Sequence, residues 1–158
     1  MRNEVIDFWF FETDKKNWFK KDGDFDELIR SRFLEVHTHA SKCELFSWRE
    51  TALGCLAEII VLDQFSRNVY RDDAKSFAYD SLSLSLAQSA ISRGLDLDLP
   101  SEQRVFLYMP FMHSESRQIH QVAEALFSKP AAKGSLSFEL RHKAIIDRFG
   151  RYPHRNAI

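Results

Sequence analysis

The chain has 158 residues, 28% of them charged, and a net charge of only -1. That length fits one domain around one core, and the near balance of charge leaves no overall field to attract nucleic acid or an anionic membrane, so neither is an expected partner. The charge is instead polarised along the chain: Asp7, Glu12, Asp14, Asp22, Asp24, Asp26 and Glu27 load the start, and Arg141, Lys143, Arg148, Arg151 and Arg155 load the end.

The first residues, MRNEVIDFWFF, carry Glu4 and Asp7 inside their apolar run and show no small-residue cleavage site, which separates them from a signal peptide. Asp24 with Glu27 reads as a capping-box-like start for an amphipathic helix from Phe25 to about Ala40, with Phe25, Leu28, Ile29, Phe33 and Val36 on its stripe. Ser47 with Glu50 repeats the capping signature and predicts a central helix from Trp48 to about Phe65, wet only at Thr51 and Glu58. Its longest apolar run, Leu53 to Leu62, is interrupted by Glu58 and falls far short of the ~20 residues that cross a bilayer. Cys43 and Cys55 lack CxxC spacing, so both read as packing residues of a cytoplasmic protein.

Asp80 can cap a helix from Ser81 to Arg93 that stops at Gly94, and the alternating Leu95, Leu97 and Leu99 read as a connecting loop. Ser101 opens a short helix that Pro110 kinks or ends just before His113, Ser114 and Glu115. A further helix carries Ile119 to Lys129, Pro130 to Ser135 form a turn, and a last helix from Leu136 to Phe149 places Phe138, His142, Ile145 and Phe149 on one side before Gly150. The expectation is an all-α fold of about six or seven helices, with short connections that favour antiparallel helix hairpins. No internal repeat of about 34 residues with the tetratricopeptide pattern is present.

Two stretches spend Arg, Asn, His and aromatic residues unlike the rest: LDQFSRNVYR (Leu62 to Arg71) and RFGRYPHRN (Arg148 to Asn156). At 100° per residue Asp63 and Gln64 turn toward covered space, where an unpaired Asp63 would cost several kcal/mol and therefore calls for Arg67 or a distant arginine. Gly150 and Pro153 shape a turn that fans out Arg148, Arg151, His154 and Arg155, able to grip phosphate or carboxylate. Brought together with Asn68, Arg71 and Asn156, and walled by Phe65, Tyr70, Phe149 and Tyr152, they would form a cleft for an acidic peptide or a small anionic metabolite. The competing reading is a structural clasp, with the same arginines paired to Asp63, Glu115 or the acidic start. A third is an enzyme in which His113 with Glu115, or His154, moves protons on an anionic substrate; against it, Ser114 can simply cap the next helix, with Glu115 answering its dipole.

Other chemistries find little support. Glu139 and His142 have ExxH spacing and His120 with Glu124 is an i, i+4 pair, but a dinuclear metal site needs two ExxH pairs. No GxSxG elbow, GxxxxGK[ST], GxGxxG or zinc spacing occurs, so no metal or nucleotide cofactor is expected.

The segments VIDFWF, WFKKDGDFD, LDQFSRNVYR, SFAYDSLSLSLAQSAISRGLD, EQRVFLYMPFMHSE and RHKAIIDRFGRYPHRN, in this order from Val5 to Ile158, resemble the bacterial domain-of-unknown-function family 924. The resemblance implies a tetratricopeptide-like all-α superhelix and no transferable activity. Its motif positions here are Asp63, Gln64, Arg67, Asn68, Arg71, His113, Ser114, Glu115, His142, Arg148, Gly150, Arg151, Pro153, His154, Arg155 and Asn156. Two departures stand out. Ser66 occupies a position where the family usually has proline, which is expected to loosen the end of the central helix, and similar proteins usually continue past the position of Ile158.

Overall fold

Capping and long-range burial together decide where the helices begin. The computed structural model describes residues 1–158, all helix, turn and connection with no strand. Helix α1 (Arg2–Asp7) runs into a π turn at Phe8–Glu12 that buries Phe8, Trp9 and Phe10. Helix α2 (Gly23–Ser41) is capped by Asp22, whose carboxylate accepts from the Asp24 and Phe25 amides. The expected Asp24 and Glu27 box is therefore displaced by two residues, because Asp22 reaches the orphan amides first.

Helix α3 (Ala52–Ile60) starts later than its Ser47 and Glu50 signature predicts. Phe46–Glu50 form a 3-10 turn, and Thr51, in extended backbone, caps α3 through the Gly54 amide. A Cβ on Gly54 would lie 1.8 Å from the Trp48 carbonyl oxygen, so this junction closes only on glycine. From Gly54 to Ser66 every residue is buried. The chain passes through a second π turn, Val61–Phe65, into α4 (Ser66–Val69). Glu58, expected to be wet, is fully buried and takes two hydrogen bonds of 2.8 Å from Arg49. Ser66 tightens the helix instead of loosening it: its hydroxyl donates to the Leu62 carbonyl at 2.6 Å and receives His37 Nε2 at 2.7 Å.

Helix α5 (Asp80–Ser92) ends as expected at Gly94, whose φ is +74°. Helix α6 (Ser101–His113) continues through Pro110, held by the buried Leu107, Tyr108, Met109, Phe111 and Met112, and stops only after His113. Helix α7 (Arg117–Phe127) is capped by Ser116, not by Ser114. Helix α8 (Leu136–Phe149) buries Glu139 and Ile146 and leaves Phe138 and Phe149 about half exposed, so its inward face is not the predicted apolar stripe. Cys55 is buried, whereas Cys43 is exposed at a positive φ of 59° beyond the end of α2 and is not part of the core.

One cluster of 33 buried apolar residues forms the core. Within it α3 touches α1, α5 and α6, α4 lies on α2, and α5 to α8 pack each on the next. Helices α5 to α8 thus each pack on the next in sequence, while α3 is a hub with partners far apart in sequence. No helix is long and apolar enough to cross a membrane.

Candidate functional site

The inward phase of the central helix is realised at Asp63, which is 1% exposed. Its Oδ1 accepts from Arg67 Nη1 at 2.9 Å, one turn on, and from His113 Nδ1 at 2.8 Å, at the end of α6. Burial alone would raise the Asp63 carboxyl, but the positive charges and hydrogen bonds of His113 and Arg67 outweigh it and hold the group below the usual carboxylate range. Arg67 in turn grips Asp80, the first residue of α5, with two hydrogen bonds of 2.9 and 3.0 Å. Asp80 therefore spends its carboxylate on Arg67 and not on capping α5.

The C-terminal turn Pro153–Ala157 brings Arg155 to the same place. Arg155 Nη2 donates to the His113 carbonyl at 3.0 Å and lies 3.8 Å from Asp80, while Nη1 lies 3.4 Å from Glu115. The guanidinium covers the rings of Phe77 and Tyr152, and its Nε is buried without a partner. Burial pulls the Arg155 proton affinity below the usual arginine range, with Asp80 and Glu115 opposing. Glu115 also accepts from the Tyr152 amide at 2.6 Å, which fastens the turn to the α6–α7 junction.

Beneath this layer lies a second histidine and carboxylate pair. His120 Nδ1 meets Glu139 at 2.9 Å and its Nε2 meets the Ser114 carbonyl at 2.6 Å, both side chains being fully buried. A carbonyl cannot donate, so Nε2 carries a proton, and the bond to Glu139 needs a second one, on the imidazole or on the carboxyl. Burial raises the Glu139 carboxyl, with His120 opposing. Tyr152 donates its hydroxyl to the Met112 carbonyl at 2.5 Å and touches His120 Nε2 at 3.0 Å.

The upper layer opens into a cavity of about 360 Å³, lined by Asp80, Ser81, His113, Ser114, Glu115 and Arg155 with apolar walls that include Phe77. Around it two guanidiniums, Arg67 and Arg155, meet three carboxylates, Asp63, Asp80 and Glu115. Positive charge is thus already answered within the protein. With Nδ1 held at 2.8 Å by Asp63, His113 has Nε2 as the ring atom without a protein partner, the arrangement that sets an imidazole up for proton transfer.

The predicted site residues divide into groups. Asp63, Gln64, Arg67, His113, Glu115 and Arg155 do converge, Gln64 bonding Asp63 at 3.4 Å. Asn68 and Arg71, from the same motif, turn to α2 and hold Asp26 at 2.8 Å and at 2.5 and 2.9 Å. Arg148, Arg151, His154 and Asn156 are exposed. Arg148 covers Phe149, and His154 leans on the Tyr152 ring. Phe65 belongs to the core beside Phe8, Trp9 and Phe33, and Tyr70 faces His37, so neither walls the cavity. His142 lies beside Tyr152 with Nδ1 bound to the Phe138 carbonyl at 2.6 Å, apart from Glu139. Tyr152, expected as a wall of the cleft, is part of this cluster; Asp80, His120 and Glu139 are the members that sequence reasoning did not place in a ligand site, their local signals being the ability of Asp80 to cap and the ExxH and i, i+4 spacings of Glu139 and His120.

The segments that meet at the cavity are those carrying the family resemblance. A family model described as "Bacterial protein of unknown function (DUF924)" matches residues 5–158. The chain belongs to this family. A solved structure, that of a protein of unknown function from Agrobacterium tumefaciens, is 39% identical with a TM-score of 0.94, over 99% of this chain and 88% of that one. No curated protein matches the chain.

Proposed function

We propose that the end of α6 carries an acid–base site in which His113, oriented by Asp63, moves a proton on a small molecule. The observation that carries this reading is the 2.8 Å bond from His113 Nδ1 to a carboxylate that is itself buried and ionised, on a histidine whose side chain keeps 15% of its surface. Arg67 neutralises Asp63, and Glu115 positions Arg155 across the cavity. His154, exposed on the Tyr152 ring, is the poorer candidate. The free Cys43 and Cys55 support a reducing, cytoplasmic home.

The test is a screen of wild-type protein and His113→Gln against carboxylic esters, phosphoesters, amides and hydroxy acids, followed by mass spectrometry. Loss of a general base removes about 10²–10⁴ of rate, so one substrate class should be turned over by the wild type and slowed at least about a hundredfold in the variant. Turnover that is indifferent to both His113→Gln and Asp63→Asn sinks the proposal.

The partnerless Arg155 Nε favours a second reading, in which a carboxylate or phosphate of an acidic peptide or small metabolite binds Arg155 by displacing Glu115 or Asp80. Calorimetry with inorganic phosphate and with acidic peptides tests it, and binding that survives Arg155→Lys unchanged rejects it.

A further inference from the structure

His113 lines a second cavity of about 470 Å³, whose other walls are Phe19, Met109, Met112, Ser135, Phe138 and His142. It is the one lining residue that this hollow shares with the polar cavity. No Asp, Glu, Lys or Arg lines it. Phe19, Met109 and Ser135 also line an adjoining hollow of about 250 Å³, beside Trp18, Val105, Phe106 and Glu102, whose carboxylate is paired with Lys15. Volume and lining fall in the range of small-molecule sites, where apolar walls hold a body and a few polar groups orient it. Methionine walls adapt to bodies of different outline.

The polar groups state what the head of such a molecule must offer. His142 Nδ1 donates to the Phe138 carbonyl, since a carbonyl can only accept, and its Nε2 makes no protein hydrogen bond. Burial, opposed by the bond to the Phe138 carbonyl, lowers the His142 imidazole, and with Nδ1–H on that carbonyl Nε2 is the acceptor atom of the ring. His113 has its Nδ1 on Asp63 and no protein hydrogen bond at Nε2. The acceptor nitrogen of His142, in a hollow lined by no Asp, Glu, Lys or Arg, favours a hydroxyl over a carboxylate or phosphate.

We infer that this trough binds an uncharged molecule with an aryl or alkyl body and a hydroxyl head, the body against Met109, Met112 and Phe138 and the hydroxyl donating to the free histidine nitrogens. The inference rests on the acid–base reading of His113 and names its substrate class: the proton that His113 accepts is the one on this hydroxyl.

The probes are 1-naphthol, naphthalene and 1-naphthoate, read on protein labelled with carbon-13 at the methionine methyls, with the exposed Met1 as internal control. Naphthol should shift the Met109 and Met112 methyls and not Met1, and should bind about tenfold more tightly than naphthalene, the worth of one net hydrogen bond. Phe138→Glu, at a half-exposed position where the fold is not at stake, should weaken it about tenfold or more. Naphthoate binding as tightly as naphthol, or no shift at Met109 and Met112, overturns the inference. Turnover that depends on His113 without naphthol shifts rejects the trough alone. Naphthol binding with turnover indifferent to His113→Gln upholds the trough and rejects the acid–base reading alone.

Discussion

His37 shows how a single buried imidazole writes pH dependence into stability. It is 1% exposed, bonds Ser66 and meets the rings of Tyr70 and Tyr79 edge-on, and burial lowers its pKa to about 4. The unfolded chain takes up that proton near pH 6.5. Between these values the unfolded state binds more protons than the native one, so the contribution of His37 is fully present above pH 6.5 and is lost as pH falls toward about 4. Urea denaturation of the wild type at pH 7 and pH 4.5 should show a loss of up to about 3 kcal/mol from this group, and His37→Gln should flatten the difference. Asp63 works in a lower window: its depressed carboxyl stabilises above the ordinary value of 3.8 and that gain disappears as pH falls below it. The pairing of Asp63 with Arg67 was legible in the sequence because i, i+4 spacing on a helix sets the two side by side. The grip of Arg67 on Asp80 was not, because nothing local tells a helix-start aspartate to reach across to another element.

At the scale of elements, periodicity and glycine stops placed α2, α5 and α8 closely, and the errors collect at junctions with two capping residues in reach. Ser47 competes with Thr51 and Ser114 with Ser116, and in each pair the later residue wins because the backbone before it is committed elsewhere. At the first junction the commitment is a close approach: the Phe46–Glu50 turn presses its Trp48 carbonyl onto Gly54. Gly54→Ala should therefore cost about 1–3 kcal/mol despite the higher helix propensity of alanine, measured as a lower denaturation midpoint with unchanged slope. The inner face of α8 misled periodicity for a different reason. Glu139 occupies a core position because His120 meets it there, and hydrophobic patterning has no term for a buried polar pair.

Across the whole molecule, the last residues act on helices distant in sequence. Arg155 ties the C-terminal turn to His113, Glu115 and Asp80, and Tyr152 ties it to Met112 and His120. Arg155→Ala removes charge-assisted bonds from a side chain only 14% exposed; a loss of about 2 kcal/mol, or about 4–8 °C in Tm, is expected in a calorimetric melt. Whether this knot serves a ligand or only the fold is decided by the experiments on His113 and Arg155, since the same side chains would do both. The π turn at Val61–Phe65 connects the two ends of the central helix in a particular way. A π turn holds one residue more than an α turn, and in an α-helix each residue advances the chain by about 100°. Length changes in this stretch therefore act as rotations: with one residue fewer, Leu56 and Ile59 keep their place in the core, while Arg67 and Asn68 swing away from Asp80 and Asp26. The stretch is a phase setting, and its length is under a constraint that the identity of its side chains does not reveal.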